Sequence, residues 1–255
     1  MKPGLRSPLA EALLALADDE LILAHRDSEW TGHAPILEED IAFANIALDE
    51  LGHAALWYRL VADLREEDAE RYPDRLVFHR PAGAFRNVRL VEHPKGDWAF
   101  TIVRQFLFDS AEQVRLKALA AHPQASLAQT AAKILTEERY HLRHLSAWVT
   151  RLAQGTPESK HRMQAALDHL WPLAGQLFQT LPGEAILVDA GAWPASPMLG
   201  IEWQAQVTDF LTGCGLTIPA RTSPDESGRQ IHSAHLEPLL AEMQSVARLE
   251  PQGEW

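Results

Sequence analysis

Apolar residues recur at spacings of three and four along most of the chain. In residues 8–26 (PLAEALLALADDELILAHR), Leu9, Leu13, Leu16, Leu21 and Leu23 mark a first helix. The stretch WTGHA at 30–34 breaks it, and Pro35 suits the first turn of a second helix over 35–65. Glu38, Glu39 and Asp40 fall in that first turn, where the helix dipole favours acids. Residues 66–96 carry Pro73, Pro81, Gly83, Pro94 and Gly96, and predict a long crossover with little regular structure. Asp97 is a good N-cap for a third helix, 98–121, which His122-Pro123 ends. A fourth helix over 125–153 stops near Gly155. Thr156-Pro157 starts a fifth, which Pro172 should kink. Residues 182–197 read as loop and 198–212 as a sixth helix. After a polar stretch, 219–234, a last helix spans 235–249. No segment carries a convincing strand alternation. The expectation is an all-α chain forming a single domain over 1–255, with a core bundle over 8–153 and a helical extension over 157–255.

Charge and composition narrow the function. The formal net charge is −12, which disfavours nucleic acid, because phosphate neutralisation needs clustered Lys and Arg. No apolar run approaches the roughly 18 residues a bilayer span requires, so no membrane partner is expected. The N-terminus has neither an uninterrupted apolar core nor a cleavage site and does not read as a signal peptide. The single cysteine, Cys214, allows no internal disulfide and fits a reducing compartment; a cytoplasmic protein is expected. Arg59, Arg104, Arg115 and Lys117 read as solvated helix-face charges.

Two Glu-x-x-His pairs, Glu50–His53 and Glu138–His141, carry the chemistry. Residues three apart on a helix project to one side, so each pair aims a carboxylate and an imidazole at one spot. Chance alone supplies about one such match in a chain with 21 Glu and 12 His, and there are three. The third, Glu158–His161, opens the fifth helix, where Glu is expected for the dipole, and is set aside. Around Glu50 the sequence IAFANIALDELGHAALW is almost wholly apolar or small, and a buried carboxylate calls for a cation.

Adding one carboxylate from each of two further helices gives a ferritin-like four-helix bundle with a di-metal carboxylate site. Glu20 and Asp109 are the candidates. The separations match: 30 residues from Glu20 to Glu50, 29 from Asp109 to Glu138, with a long crossover between. Competing readings remain open. Glu20 follows Asp18 and Asp19 and could belong to a solvated acidic patch. Glu112 could replace Asp109, and Glu137 and His144 could displace the Glu138–His141 pair. Carboxylate and imidazole without thiolate suit iron or manganese, with zinc the redox-inert alternative. Tyr140 reads as packing rather than as a radical site.

The stretches EWTGHAPILEEDIAFANIALDELGHAALWY, EERYHLRHLSAWVTRLAQGT and HLEPLLAEMQSVARLEPQGEW resemble the C-type (PaaC) subunit of the multicomponent phenylacetyl-CoA epoxidase, over about Leu16 to Trp255. The resemblance implies a complex that epoxidises the ring of an aromatic acyl-CoA with dioxygen, in aerobic phenylacetate degradation. It implies electrons from a separate flavin and iron–sulfur reductase, and pairing with a homologous ferritin-like A-type catalytic subunit that carries the di-iron site. C-type subunits are usually described as structural, their ligands degraded. This chain departs from that pattern: Glu20, Glu50, His53, Asp109, Glu138 and His141 are similar to the A-type ligand order. Two expectations follow, a metal-bearing oxygenase component or a non-catalytic scaffold within an oligomer; ferritin-like iron storage is the weaker third.

Overall fold

The computed structural model describes residues 3–220 and 228–250. Pro224 and the final PQGEW, 251–255, lie outside the described residues. The α-helices are α1 (Pro3–Ser28), α2 (Leu37–Arg65), α3 (Arg71–Phe78), α4 (Arg89–Glu92), α5 (Trp98–Leu119), α6 (Ala125–Ala153), α7 (Pro157–Ala174), α8 (Glu184–Asp189), α9 (Ser196–Gly213), α10 (Leu236–Met243) and α11 (Ser245–Leu249). Short 3-10 turns occupy Ala82–Ala84 and Gly175–Phe178. No strand occurs among the described residues, as the periodicity predicts.

Four long helices build a ferritin-like bundle from two hairpins: α1 packs along α2, and α5 along α6. Residues 66–97 cross between the hairpins, and α2 faces α6. The crossover is more regular than its prolines and glycines predict, since it contains α3, a 3-10 turn and α4. Such short helices are marginal alone and persist through packing. Leu76 and Val77 of α3, and Leu90 and Val91 of α4, supply the buried contacts. The same holds for α8 in the predicted loop 182–197, anchored by buried Leu187.

Helix α1 begins before Pro8. The proline removes only the bond to the exposed Gly4 carbonyl, so the first turns survive it. Helix α7 likewise runs through Pro172 to Ala174 before tightening into the 3-10 turn. Asp97 caps α5 by accepting from the Phe100 amide at 2.9 Å. Thr156 and Ser159 form a reciprocal cap on α7. Gly155 between α6 and α7 is required sterically: a Cβ there would sit 2.8 Å from the Arg151 carbonyl oxygen.

Two of the four long helices are enclosed. Helix α1 is covered by α2, α4 and α8, and α5 by α6, α7 and α9. Both are buried almost without interruption, Ala12–Ala24 and Ala99–Leu116. The buried core is continuous from Leu9 to Leu240. Helices α2 and α6 keep an outward face, where Leu37, Ile41, Leu48 and Tyr140 are exposed. Among the described residues no helix is long and apolar enough to cross a membrane.

Candidate metal centre

Enclosure of α1 and α5 decides what their acids can do. Asp18, Asp19 and Glu20 step round α1 by about 100° each, and all three are fully buried. They enter three separate environments. Asp18 accepts from the Tyr58 hydroxyl at 2.6 Å and pairs with Arg80. Asp19 accepts from the Val88 amide and from Arg229, both at 2.7 Å. Glu20 points into the bundle centre. The solvated-patch alternative for Glu20 is thereby removed.

Glu20 of α1, Glu50 and His53 of α2, and Glu138 of α6 converge, with ligand atoms within 4.8 Å of one another. Asp109 of α5, Glu138 and His141 form a second such group. Glu138 belongs to both. His141 is 5% exposed and the other five are 0–1% exposed, so the cluster is closed off from bulk solvent. Glu50 and Glu138 each reach both imidazoles. His53 Nδ1 lies 3.5 Å from Glu50 Oε2 and 3.4 Å from Glu138 Oε1. His141 Nδ1 lies 3.6 Å from Glu50 Oε1 and 3.3 Å from Glu138 Oε1. Glu20 flanks the His53 side, its Oε2 4.0 Å from Nδ1.

Both imidazoles turn Nδ1 inward and Nε2 outward. His53 Nε2 is 2.9 Å from Glu137 Oε2 on α6, and His141 Nε2 is 3.1 Å from Asp49 Oδ2 on α2. Each helix thus supplies the outer carboxylate for the other helix's imidazole. Such a carboxylate fixes the tautomer and ring orientation of a ligating histidine. Gln105, one turn before Asp109, donates its amide to Glu50 Oε1 at 2.8 Å and to Asp109 Oδ1 at 2.9 Å. Nothing in the sequence singles out Gln105 beyond its i, i+4 spacing to Asp109.

The electrostatics describe a site short of positive charge. Burial, then the Glu50 carboxylate, pushes Glu20 well above the usual range. Burial, then Glu138 and Glu50, does the same to Asp109. Burial also opposes charge on Glu50, but Glu20 and the two imidazoles outweigh it and hold Glu50 below its ordinary value. Burial opposes a charged His53, yet Glu138 and Glu50 prevail and raise it to about 10. His141 is raised by the same two carboxylates against the same burial. Protons accumulate where the carboxylates demand cations.

The competing residues fall elsewhere. Glu112 pairs with Arg115 rather than entering the cluster. Glu137 serves as an outer partner, and His144 lies 2.9 Å from Glu39 Oε2. Glu158, His161 and Tyr140 are exposed. Arg59 and Lys117 lie on the surface as expected, but Arg104 and Arg115 are buried. Helix α5 has almost no solvent face, so Arg104 pairs with buried Asp27 at 2.9 Å and Arg115 donates to the Leu177 carbonyl at 2.6 Å.

The comparisons agree with this architecture. The C-type subunit of 1,2-phenylacetyl-CoA epoxidase from Escherichia coli is 37% identical over 243 residues, covering 95% of this chain and 97% of the relative. The A-type subunit of the same organism's enzyme is 25% identical over 181 residues, 70% of this chain and 56% of that relative. The whole chain, residues 1–255, matches the phenylacetic acid catabolic protein (PaaA/PaaC) family, and the chain belongs to that family.

Proposed function

We propose that the chain is one component of a phenylacetyl-CoA-epoxidising monooxygenase complex and that its buried cluster holds two iron ions. One observation carries the metal reading. Both oxygens of Glu20 and Glu138, Glu50 Oε2, Asp109 Oδ2, and Nδ1 of His53 and His141 are buried without a hydrogen-bond partner among the described residues. Leaving such groups unsatisfied costs several kcal/mol per ion, and cations would offset that cost. Four carboxylates match the charge of two divalent ions. Oxygen and imidazole donors without thiolate suit iron, with manganese the nearest substitute.

Glu50 and Glu138, each of which reaches both imidazoles, would help to hold the ions from α2 and α6. His53 with Glu20 would complete one shell, and His141 with Asp109 the other. The metal pair would supply redox and Lewis-acid chemistry toward dioxygen. The protein's own part is positional. Glu137 and Asp49 hold the imidazoles with Nδ1 inward, and Gln105 keeps Glu50 and Asp109 in register. Enclosed α1 and α5 keep bulk water from the cluster. Glu137 and Asp49 are part-exposed and can pass a proton between the Nε2 atoms and solvent.

Electrons would come from a separate flavin and iron–sulfur reductase, because the sequence carries no flavin, nicotinamide or cluster motif. A homologous ferritin-like chain would be the partner and an aromatic acyl-CoA the substrate. All of residues 1–255 would act as one ferritin-like domain. Iron analysis after anaerobic reconstitution tests the metal reading. About two irons per chain are expected; below about 0.2 overturns it.

The 37% identity to a C-type relative favours a second reading, a non-catalytic scaffold for the partner. Glu50→Ala in the reconstituted complex separates the two. Loss of turnover with assembly intact supports catalysis here, and full activity supports the scaffold.

A further inference from the structure

Helix α2 leaves a regular apolar row uncovered. Leu37, Ile41, Ala44, Leu48, Leu51 and Ala55 follow one another at spacings of 4, 3, 4, 3 and 4. The four large side chains are 48–72% exposed, and the two alanines are half-buried. A repeat of about 3.5 residues is the period of a helix that packs lengthwise against another helix. The bundle itself does not use this row. Its own contacts come from the opposite side of α2, where Phe43, Ile46, Glu50, His53 and Trp57 are buried.

The two flanks of the row differ. On one side, Leu51 and Ala55 turn into a half-open, mostly apolar cavity of about 340 Å3, which Leu21, Ala24, Val77 and Met243 also line. On the other side α6 runs antiparallel to α2, with Glu137 at His53 and His144 at Glu39. The outward face of α6 carries Lys133, Arg139, Arg143 and Arg151, all exposed. None of the four pairs with an acid among the described residues. Arg143 lies over the Tyr140 ring and Arg151 over the Trp148 ring. Glu137, the part-exposed acid of α6, is engaged by His53. In a chain of net charge −12, four unopposed cations on one helix face reverse the local sign.

We propose that this face, the α2 row with the α6 cations beside it, is the docking surface for an acid-flanked apolar helix of the homologous ferritin-like partner. The proposal rests on the reading above that the chain works in a complex with such a partner. The period of the row calls for a helix. The cavity calls for a large apolar side chain on that helix, and the cations call for Asp or Glu along its flank. A second copy of this chain fits worse. Antiparallel pairing of two such rows about a two-fold axis puts α6 of both copies on the same side. Cation then faces cation, which selects against the self-pair.

Sedimentation of the full-length chain mixed with its own organism's A-type subunit, at low and high salt, tests this. The probes are Leu48→Glu in the row and the double variant Arg139→Glu with Arg143→Glu on α6. Ile201→Glu, at an exposed apolar position on α9, is the control. All of these side chains are exposed, so the variants should fold, and the melting temperature of each free variant verifies it. Leu48→Ala, which adds no charge, is a milder second probe of the row. Leu48→Glu should weaken binding by about 30-fold or more, and Leu48→Ala by less. The arginine pair should weaken binding and flatten its salt dependence. Ile201→Glu should bind as the wild-type chain does. If the wild-type chain binds and neither probe weakens it, the partner docks elsewhere; the face is refuted while the complex stands. If the wild-type chain does not bind, the partner reading fails and takes this proposal with it. A dimer of this chain alone that Leu48→Glu dissociates assigns the face to self-association and overturns the proposal.

Discussion

The charge state of the buried cluster makes stability and metal affinity run in opposite directions with pH. His53 is raised to about 10 because Glu138 and Glu50 outweigh its burial. In the unfolded chain a histidine titrates near about 6.5. Between those values the native state, kept free of metal by a chelator, binds a proton that the unfolded state does not. The resulting stabilisation is complete below about pH 6.5 and is lost as pH rises toward about 10. His141, Glu20 and Asp109 are shifted the same way and add to the same sign. Glu50 is shifted oppositely, but its effect lies at acid pH. His93, lowered to about 4, is neutral in both states over this window. One proton contributes about 1.4 kcal/mol per pH unit, so going from pH 7 to 9 costs the chelated chain about 2–3 kcal/mol from His53 alone. A metal needs Nδ1 deprotonated, so its affinity rises about tenfold per pH unit for each proton displaced. Urea denaturation at pH 7, 8 and 9, in chelator and in anaerobic ferrous iron, reads both effects. Chelated stability that is flat or rising over this range would refute the proton assignment. An iron increment that fails to grow with pH would refute the competition.

Glu137→Ala and Asp49→Ala should each weaken iron binding about 10–100-fold while leaving the fold intact, as measured by competition with a chelator. Arg104→Met leaves Asp27 buried without its cation and should cost about 3–5 kcal/mol in urea unfolding. Because burial already raises Asp27 to about 7, the loss should grow above neutral pH, and Asp27→Leu added to it should restore most of the stability. Glu66 ends α2 in the left-handed region, with φ +58° and amides of residues 66 and 67 closing on Asp63 and Ala62. Glu66→Gly should stabilise the chain by up to about 1 kcal/mol, read as a raised urea midpoint.

The long helices are legible in the sequence because their evidence is local: period, caps at Asp97 and Thr156, and breakers. The short ones are not, because α3, α4 and α8 owe their order to side chains buried against remote parts of the chain. Distance in sequence also hides the partners of Asp18 and Asp19, which are Arg80 and Arg229, 62 and 210 residues away. Arg104 and Arg115 escape for a different reason. Charge reads as a sign of solvent, although the surrounding WAFTIVRQFLFDSAEQVRL leaves a helix little polar face on which to expose them.

The six clustered side chains are legible, and the sequence also contains a sharper signal than the bare Glu-x-x-His pair. Glu50 is preceded by Asp49, and Glu138 by Glu137. In each case the preceding acid reaches across to the imidazole of the opposite helix. The pattern is therefore acid-Glu-x-x-His, in which the Glu and His face one cavity and the first acid orients the histidine on the facing helix. A single copy cannot complete this arrangement, since its acid has no imidazole to meet. Two copies on facing helices satisfy each other, which is why the motif is informative only as a pair. Glu158–His161 is preceded by Pro157, lacks the acid and lies in solvent. The five-residue form rejects it without any appeal to the helix dipole. It also places Glu137 outside the ligand set, because an acid spent on the opposite helix's Nε2 is not available to the cavity.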